Sequence, residues 1–255
     1  MKLISESGFI RGLQCKKSLY LHYFKPELRD EISKFHQIII DTGHNVKEYA
    51  QQLFPGGIDA SQGDKSNLQR AINYTQELIK NNQQVIYGAT FTDGETFSDI
   101  DILVNNNGKW TAYEVKTSVS MNDYKIMDIA FQYYVIIQSG ISLEAINLIH
   151  VNYKYLKHGE LNIFELFTIV PLIEKILPLQ SDIQNQINGL QKTLDSSEEP
   201  IIDIGPHCTN PFNCDFIGYC WKHIPKYSVF NISRIGGKAF ELYHQGILDT
   251  KKIWA

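Results

Sequence analysis

The chain has 255 residues, 43% of them hydrophobic and 20% charged, with a formal net charge of −4. That composition is ordinary for a globular protein with a real core, and length alone does not choose between one large domain and two small ones. The balance excludes a global basic field, so a nucleic-acid partner would have to meet a local basic strip. The N-terminus, MKLISESGFIRGLQC, lacks the apolar segment of a secretory signal, and no apolar run approaches membrane-spanning length. The chain is therefore expected in the cytoplasm, where thiols stay reduced and four cysteines favour metal binding or catalysis over disulfides.

In chain order, residues 4–24 predict a helix that Ser5 or Ser7 can cap, with Phe9, Leu13, Leu19 and Tyr20 as its apolar stripe and Cys15 inside it. Basic and aromatic residues of this segment (Arg11, Lys16, Lys17, Tyr20, Tyr23) are candidates for nucleic-acid contact, or else one solvated helix face. Residues 33–54 predict a second helix stopped by Pro55-Gly56-Gly57. Its buried face is drawn from Ile38, Ile39, Val46, Tyr49, Ala50 and Leu53, and His44 falls close to it. Residues 64–82 predict a third helix with Asp64 as candidate cap. Residues 84–92 read as a strand that turns at Asp93-Gly94.

Residues 98–118 organise the rest. Two runs of β-formers flank an Asn-Asn-Asn-Gly turn, which predicts an antiparallel hairpin. The period of two puts Glu114 and Lys116 on one face, and Asp99 and Asp101 on one face of the partner strand. A register centred near Asn107 brings one of those aspartates opposite Glu114. Two carboxylates and an ammonium then share one spot on a sheet, where a divalent cation would offset the repulsion. The plain alternative is a solvated hairpin with ordinary surface charges.

After the hairpin, a helix ending at Gly140 carries Ile126, Ile129, Ala130, Tyr133, Ile136 and Ile137 on one face. Asp128, Gln132 and Val135 form an adjacent strip that can lie over the sheet. Residues 145–156 predict a strand, and a helix over 164–194 must kink or split at Pro171 and Pro178. Strands alternating with helices predict an α/β layered domain.

Cys208, Cys214 and Cys220 follow C-x5-C-x5-C in a loop rich in Pro, Asn and Gly. Three thiols are one ligand short of a tetrahedral or cubane site, and Cys15 is the one further cysteine in the chain. Joining it to the loop would close a long stretch of chain and add stability. Spacing alone does not separate zinc from iron–sulfur, and His207 and His223 stand as substitute ligands.

With hairpin and cysteines both read, the sequence resembles the PD-(D/E)XK nuclease superfamily. The resemblance is to its RecB-like branch with a four-cysteine iron–sulfur cluster, which includes AddB nuclease domains and CRISPR-associated nucleases of the Cas4 type. It is carried, in order, by GLQCKKSLYLH, DTGHNV, DIDIL…YEVK, AFQYYV and the cysteine triplet. It implies a restriction-endonuclease-like core, a mixed central β-sheet flanked by helices, with the N- and C-terminal ends joined by the cluster. Residues 1–225 would form that domain and 226–255 a tail or the start of a truncated second region.

By the same resemblance, Asp101 and Glu114 match the ligands of a catalytic Mg²⁺ or Mn²⁺, with the Val115 carbonyl completing the shell. Asp99 is the alternative to Asp101. Lys116 matches the lysine that orients or activates the attacking water, and Gln132, with Tyr134 beside it, the glutamine that positions DNA or that lysine. His44 is the candidate for a further, helical metal ligand, although it directly follows Gly43 where the family pattern is G-x-x-x-H. Cys15, Cys208, Cys214 and Cys220 would hold a structural 4Fe–4S cluster, with Zn²⁺ as the lesser option; the triplet departs from the commoner C-x2-C-x5-C. The implied function is metal-dependent hydrolysis of DNA, single-stranded or at ends. Two further readings stand beside it: a catalytically inactive DNA-binding module of the same fold, and a zinc-stapled interaction domain unrelated to nucleic acid.

Overall fold

The computed structural model describes residues 2–31, 34–61, 67–118 and 122–250. A short strand β1 (Ile4–Ser5) leads into α1 (Glu6–Gln14), and Ser5 caps it by accepting the Gly8 N–H at 3.0 Å. The single helix expected over 4–24 is two helices. Cys15 adopts an extended backbone (φ −162°, ψ 114°), ends α1 and starts α2 (Lys16–Phe24). Next come α3 (Lys34–Gln51), β2 (Ile58–Asp59) and α4 (Leu68–Lys80). On α3 the predicted apolar face is only partly used: Ala50 is buried, but Ile38 and Tyr49 are exposed, and the Ile39 side chain lies outside the described residues. Asn67 caps α4 by accepting the Arg70 N–H, while Asp64 lies outside the described residues.

The strands β3 (Val85–Thr92), β4 (Thr96–Asn106) and β5 (Lys109–Lys116) form the meander expected from the sequence. Asn107 (φ 54°) and Gly108 (φ 87°) turn the hairpin with both residues in the left-handed region, the geometry a two-residue turn needs and Asn-Gly supplies. α5 (Asp123–Gln138) follows, then β6 (Leu143–Val151) and α6 (Ile163–Leu166). The long helix predicted over 164–194 contains a strand instead, β7 (Phe167–Pro171), before α7 (Ile173–Ile176) and α8 (Gln180–Asp195). Its β-branched Thr168, Ile169 and Val170 pair antiparallel with β6 and lie along the sheet's edge, where Pro171 leaves no rung unmade. The chain ends through α9 (Ile217–Cys220) and α10 (Lys238–His244). No described helix is long and apolar enough to cross a membrane.

Among the described residues these strands form a seven-stranded mixed sheet, β2-β3-β4-β5-β6-β7, with β1 added beside β4. β3–β4, β4–β5 and β6–β7 are antiparallel; β2–β3, β5–β6 and β1–β4 are parallel. β4 is the branch point. Its C-terminal half pairs with β5, from Asn106↔Lys109 to Ile102↔Tyr113. Further back it keeps β3 on one edge, and on the other β1 takes over (Ile4↔Thr96, Ser5↔Phe97). β4 and β5 therefore part at Asp101, and the chain that fills the gap is the one that enters α1.

Alternation places Ile102, Val115 and Ile149 on one face, where Ala50 of α3 and Phe167 pack with them. The opposite face carries Glu114 and Lys116 towards α5, a helix whose Asp128–Gln132 stretch is buried throughout. Phe131 of α5 stacks on Phe9 of α1 at 4.6 Å between centroids.

Two compact units emerge from the packing. Met1–Ile10 with Ile32–Gln191 holds the sheet; Arg11–Glu31 with Lys192–Ala255 holds all four cysteines. Residues 226–250 fall in the second unit and contain α10.

Candidate active site and cysteine cavity

The fork between β4 and β5 concentrates charge. Asp101 (7% exposed) and Glu114 (3% exposed) stand on the two arms of the hairpin, at the positions that continue its register. Asp101 Oδ2 accepts the Val115 N–H at 2.8 Å, and its Oδ1 meets the Lys47 ammonium of α3 at 2.6 Å. Lys116 Nζ lies 2.8 Å from Glu114 Oε1, 2.8 Å from Asp128 Oδ2 on α5, and 3.4 Å from Glu6 Oε1 on the first turn of α1. Gln132, fully buried, donates from Nε2 to Glu6 Oε2 at 2.7 Å, and its Oε1 is buried without a hydrogen-bond partner.

The electrostatics follow from burial and proximity. Asp101 is pushed up to about 7, first by burial and next by the Glu114 charge, against the pull of Lys47 and the Val115 N–H. Burial alone would raise Glu114 too. There the Lys116 and Lys47 ammonium groups, with hydrogen bonds from Lys116 and Gln132, outweigh burial and hold Glu114 below its ordinary value. Glu6 is raised well above the carboxylate range by burial and by the Asp128 charge. Lys116 is half-buried, and although desolvation works against its charge, Glu114, Glu6 and Asp128 together hold it well above the ordinary lysine value.

The structure thus brings Asp101, Glu114, Lys116, Gln132 and Val115 to one place. Asp99, on the same strand, is exposed. His44 is exposed on α3 and makes none of the contacts above. The α3 residue that reaches the carboxylates is Lys47, and counting four from Gly43 lands on it: a lysine stands where the resembled motif carries its histidine. Glu6 and Lys47 escaped sequence reading, and Asp128 was read only as part of a strip. The Gly43 spacing could have found Lys47, and the i, i+4 step from Asp128 to Gln132 marks them as neighbours on one helix face. Nothing local marks Glu6, because only the insertion of β1 beside β4 brings it in.

In the second unit, Cys15, Cys208, Cys214 and Cys220 line a single cavity of about 20 Å³, otherwise walled mainly by Ile202, Ile204, Phe216, Ile217 and Trp221. All four thiols are free. Arg11 and Arg29 clamp Asp215 between the second and third loop cysteines, and Gln14 Nε2 holds the His207 and Phe212 carbonyls at 2.6 and 2.7 Å. Burial raises Cys15 and pushes Cys220 up to about 11 despite the nearby Lys17. Among the described residues no group of three or more His, Cys, Asp or Glu is drawn together closely enough to hold a metal ion, so the four thiols share a cavity without forming a closed ligand shell.

The basic strip expected for nucleic acid is largely committed inside this unit. Arg11 pairs with Asp215, Lys17 with Glu199 at 3.2 Å, and buried Tyr20 donates to the Ser197 carbonyl at 3.1 Å. Only Lys16 of that set is exposed.

No protein-family model matches the chain, and no curated protein matches it. Among solved structures it is similar to an alkaline exonuclease from Laribacter hongkongensis, with TM-score 0.44 and 10% identity over 76% of this chain and 88% of that one. It is also similar to the structure of SSO0001, with TM-score 0.28 and 13% identity over 63% of this chain and 89% of that one. Likeness at these scores is coarse and assigns no residue a role.

Proposed function

We propose that the chain is a metal-dependent nuclease of the RecB-like PD-(D/E)XK type, hydrolysing DNA phosphodiester bonds in single strands or at ends. One observation carries the reading: Asp101 and Glu114 are buried together at the sheet's fork, with the Lys116 ammonium 2.8 Å from Glu114. Burying two carboxylates side by side opposes folding, and the sequence keeps both where alternation and register converge. The donors suit Mg²⁺ or Mn²⁺, which take carboxylate and carbonyl oxygen, here from Asp101, Glu114 and Val115. The unpartnered Gln132 Oε1 marks further unmet demand for a donor or cation beside them. When bound, such an ion supplies charge neutralisation for the phosphate and a more acidic water for attack.

The remaining chemistry belongs to the chain. Lys116, braced by Glu114 and Asp128, presents a fixed positive charge where negative charge develops on the phosphate. Its raised pKa suits it to that task and not to accepting a proton. Gln132 ties Glu6 to the site and so fixes the start of α1 beside the reacting groups. In the second unit, the four thiols around one mainly apolar cavity support a structural 4Fe–4S cluster, with Zn²⁺ as the other candidate for the same soft donors.

The test is cleavage of end-labelled single-stranded DNA with Mn²⁺ or Mg²⁺ by oxygen-free intact protein, Glu114→Ala and Lys116→Ala. Intact protein should cut, and each variant should lose about 10²-fold or more of the rate. Binding without cutting by the metal-loaded intact protein would decide for the inactive module. Equal cutting by all three would remove the hairpin from the chemistry.

A further inference from the structure

Among the described residues, Lys47 is the cation that reaches the fork's carboxylates from outside the hairpin. Its ammonium sits 2.6 Å from Asp101 Oδ1, and the charges of Glu114, Asp101 and Asp99 all act on it. Asp101 Oδ2 is already taken by the Val115 N–H, so Oδ1 is the oxygen left to an incoming ligand, and Lys47 occupies it. The two lysines differ in how they are held. Lys116 has three carboxylates around it and a side chain 25% exposed. Lys47 has a single carboxylate in contact and a side chain 37% exposed, at the end of a flexible four-carbon stem. Four carboxylates (Asp101, Glu114, Glu6 and Asp128) and two ammonium groups meet at the fork, and at Asp101 Oδ1 the pairing is one to one. A divalent ion and the Lys47 ammonium would compete for the same oxygen, and Lys47, with one carboxylate in contact against three for Lys116, is the lysine that can leave.

We propose that Lys47 is a built-in counter-ion that occupies the cation position at Asp101 and gives way to a divalent metal. It keeps Asp101 and Glu114 together before metal arrives, and it lowers metal affinity by the free energy needed to displace it. The proposal rests on the metal-dependent reading above and assigns Lys47 a positioning role.

Mn²⁺ binding, measured by titration calorimetry and by the loss of the free-ion magnetic resonance signal, tests it without reference to cleavage. The proteins are intact chain, Lys47→Met, Lys47→Gln, Lys47→Arg and Asp101→Asn. Removing the ammonium should tighten Mn²⁺ binding about tenfold or more in both neutral variants, a modest effect for one unit charge a few ångströms away in a partly buried site. Lys47→Arg should bind as the intact chain does, and Asp101→Asn should lose the site. Melting temperature gives a second reading: metal-free Lys47→Met should melt lower than intact protein, and Mn²⁺ should raise it by more. If the neutral variants bind Mn²⁺ no tighter than intact protein while Asp101→Asn abolishes binding, the counter-ion role is wrong and the metal site stands. If no form binds Mn²⁺, the metal reading fails and this one with it.

Discussion

Asp101 is held between opposing demands. Burial and the neighbouring Glu114 favour its protonated form, while Lys47 and the Val115 N–H favour the ionised one, and the first pair prevails to leave it near 7. Because the folded-state value is raised, the folded protein holds this proton more tightly than the unfolded chain does. Its contribution to stability is full below about pH 4 and is lost as pH rises through about 7. Asp101→Asn removes that loss. The variant should gain in melting temperature relative to intact, metal-free protein as pH is raised from about 5 to 8, while losing cleavage. Melting curves across that range check it; a constant difference would mean that burial does not set the protonation of Asp101. Glu114 and Lys116 were legible because a strand's period of two leaves little freedom in which side chains share a face; that period allows Asp99 as well as Asp101, and only the motif resemblance favoured Asp101. Lys47 had only its spacing from Gly43 to mark it, since a helix's distance from a sheet is a tertiary fact that no local period reports.

At the scale of elements, the hairpin is the most locally determined part of the molecule. Asn107 and Gly108 both require positive φ, and Gly108 meets no neighbouring atom that would resist a side chain there. Gly108→Val should therefore cost about 1–2 kcal/mol through backbone strain alone. Cleavage should persist below the melting temperature, because the turn lies at the far end of the hairpin from Asp101. Denaturant unfolding with parallel activity assays checks both halves; lost activity in a folded variant would mean that the turn governs the fork's geometry. Elsewhere local signals were misread where tertiary pairing overrode them. Residues 167–171 sit between helix-like stretches, yet the free edge of β6 recruited them as β7. Cys15 lies within a helical pattern, yet its extended backbone breaks that pattern into α1 and α2, which is what carries its thiol to the cysteine cavity.

On the scale of the whole molecule, the cysteine-bearing unit is assembled from segments nearly two hundred residues apart in sequence. Arg11 and Arg29 meet Asp215, Gln14 meets the loop backbone, and Tyr20, Leu21 and Phe216 form a common buried cluster. If the proposed cluster is present, protein purified without oxygen should carry iron and sulfide in equal amounts, and Cys15→Ser should lose both together with part of its thermal stability. Stoichiometric zinc would replace the cluster by a zinc site. Four thiols titrating freely, with no metal, would leave the cavity as plain core.

The sequence by itself determined the hairpin, the register that sets Asp99 or Asp101 against Glu114, and the Ser5 cap of the first helix. These follow from periodicity and turn chemistry, which act over a few residues. Tertiary structure alone decided that β4 parts from β5 at Asp101, that β1 delivers Glu6 to the opening, and that Lys47 and not His44 faces the carboxylates. Those outcomes depend on which edge a strand finds and how a helix lies on a sheet, and such contacts are fixed by packing between residues far apart in the chain.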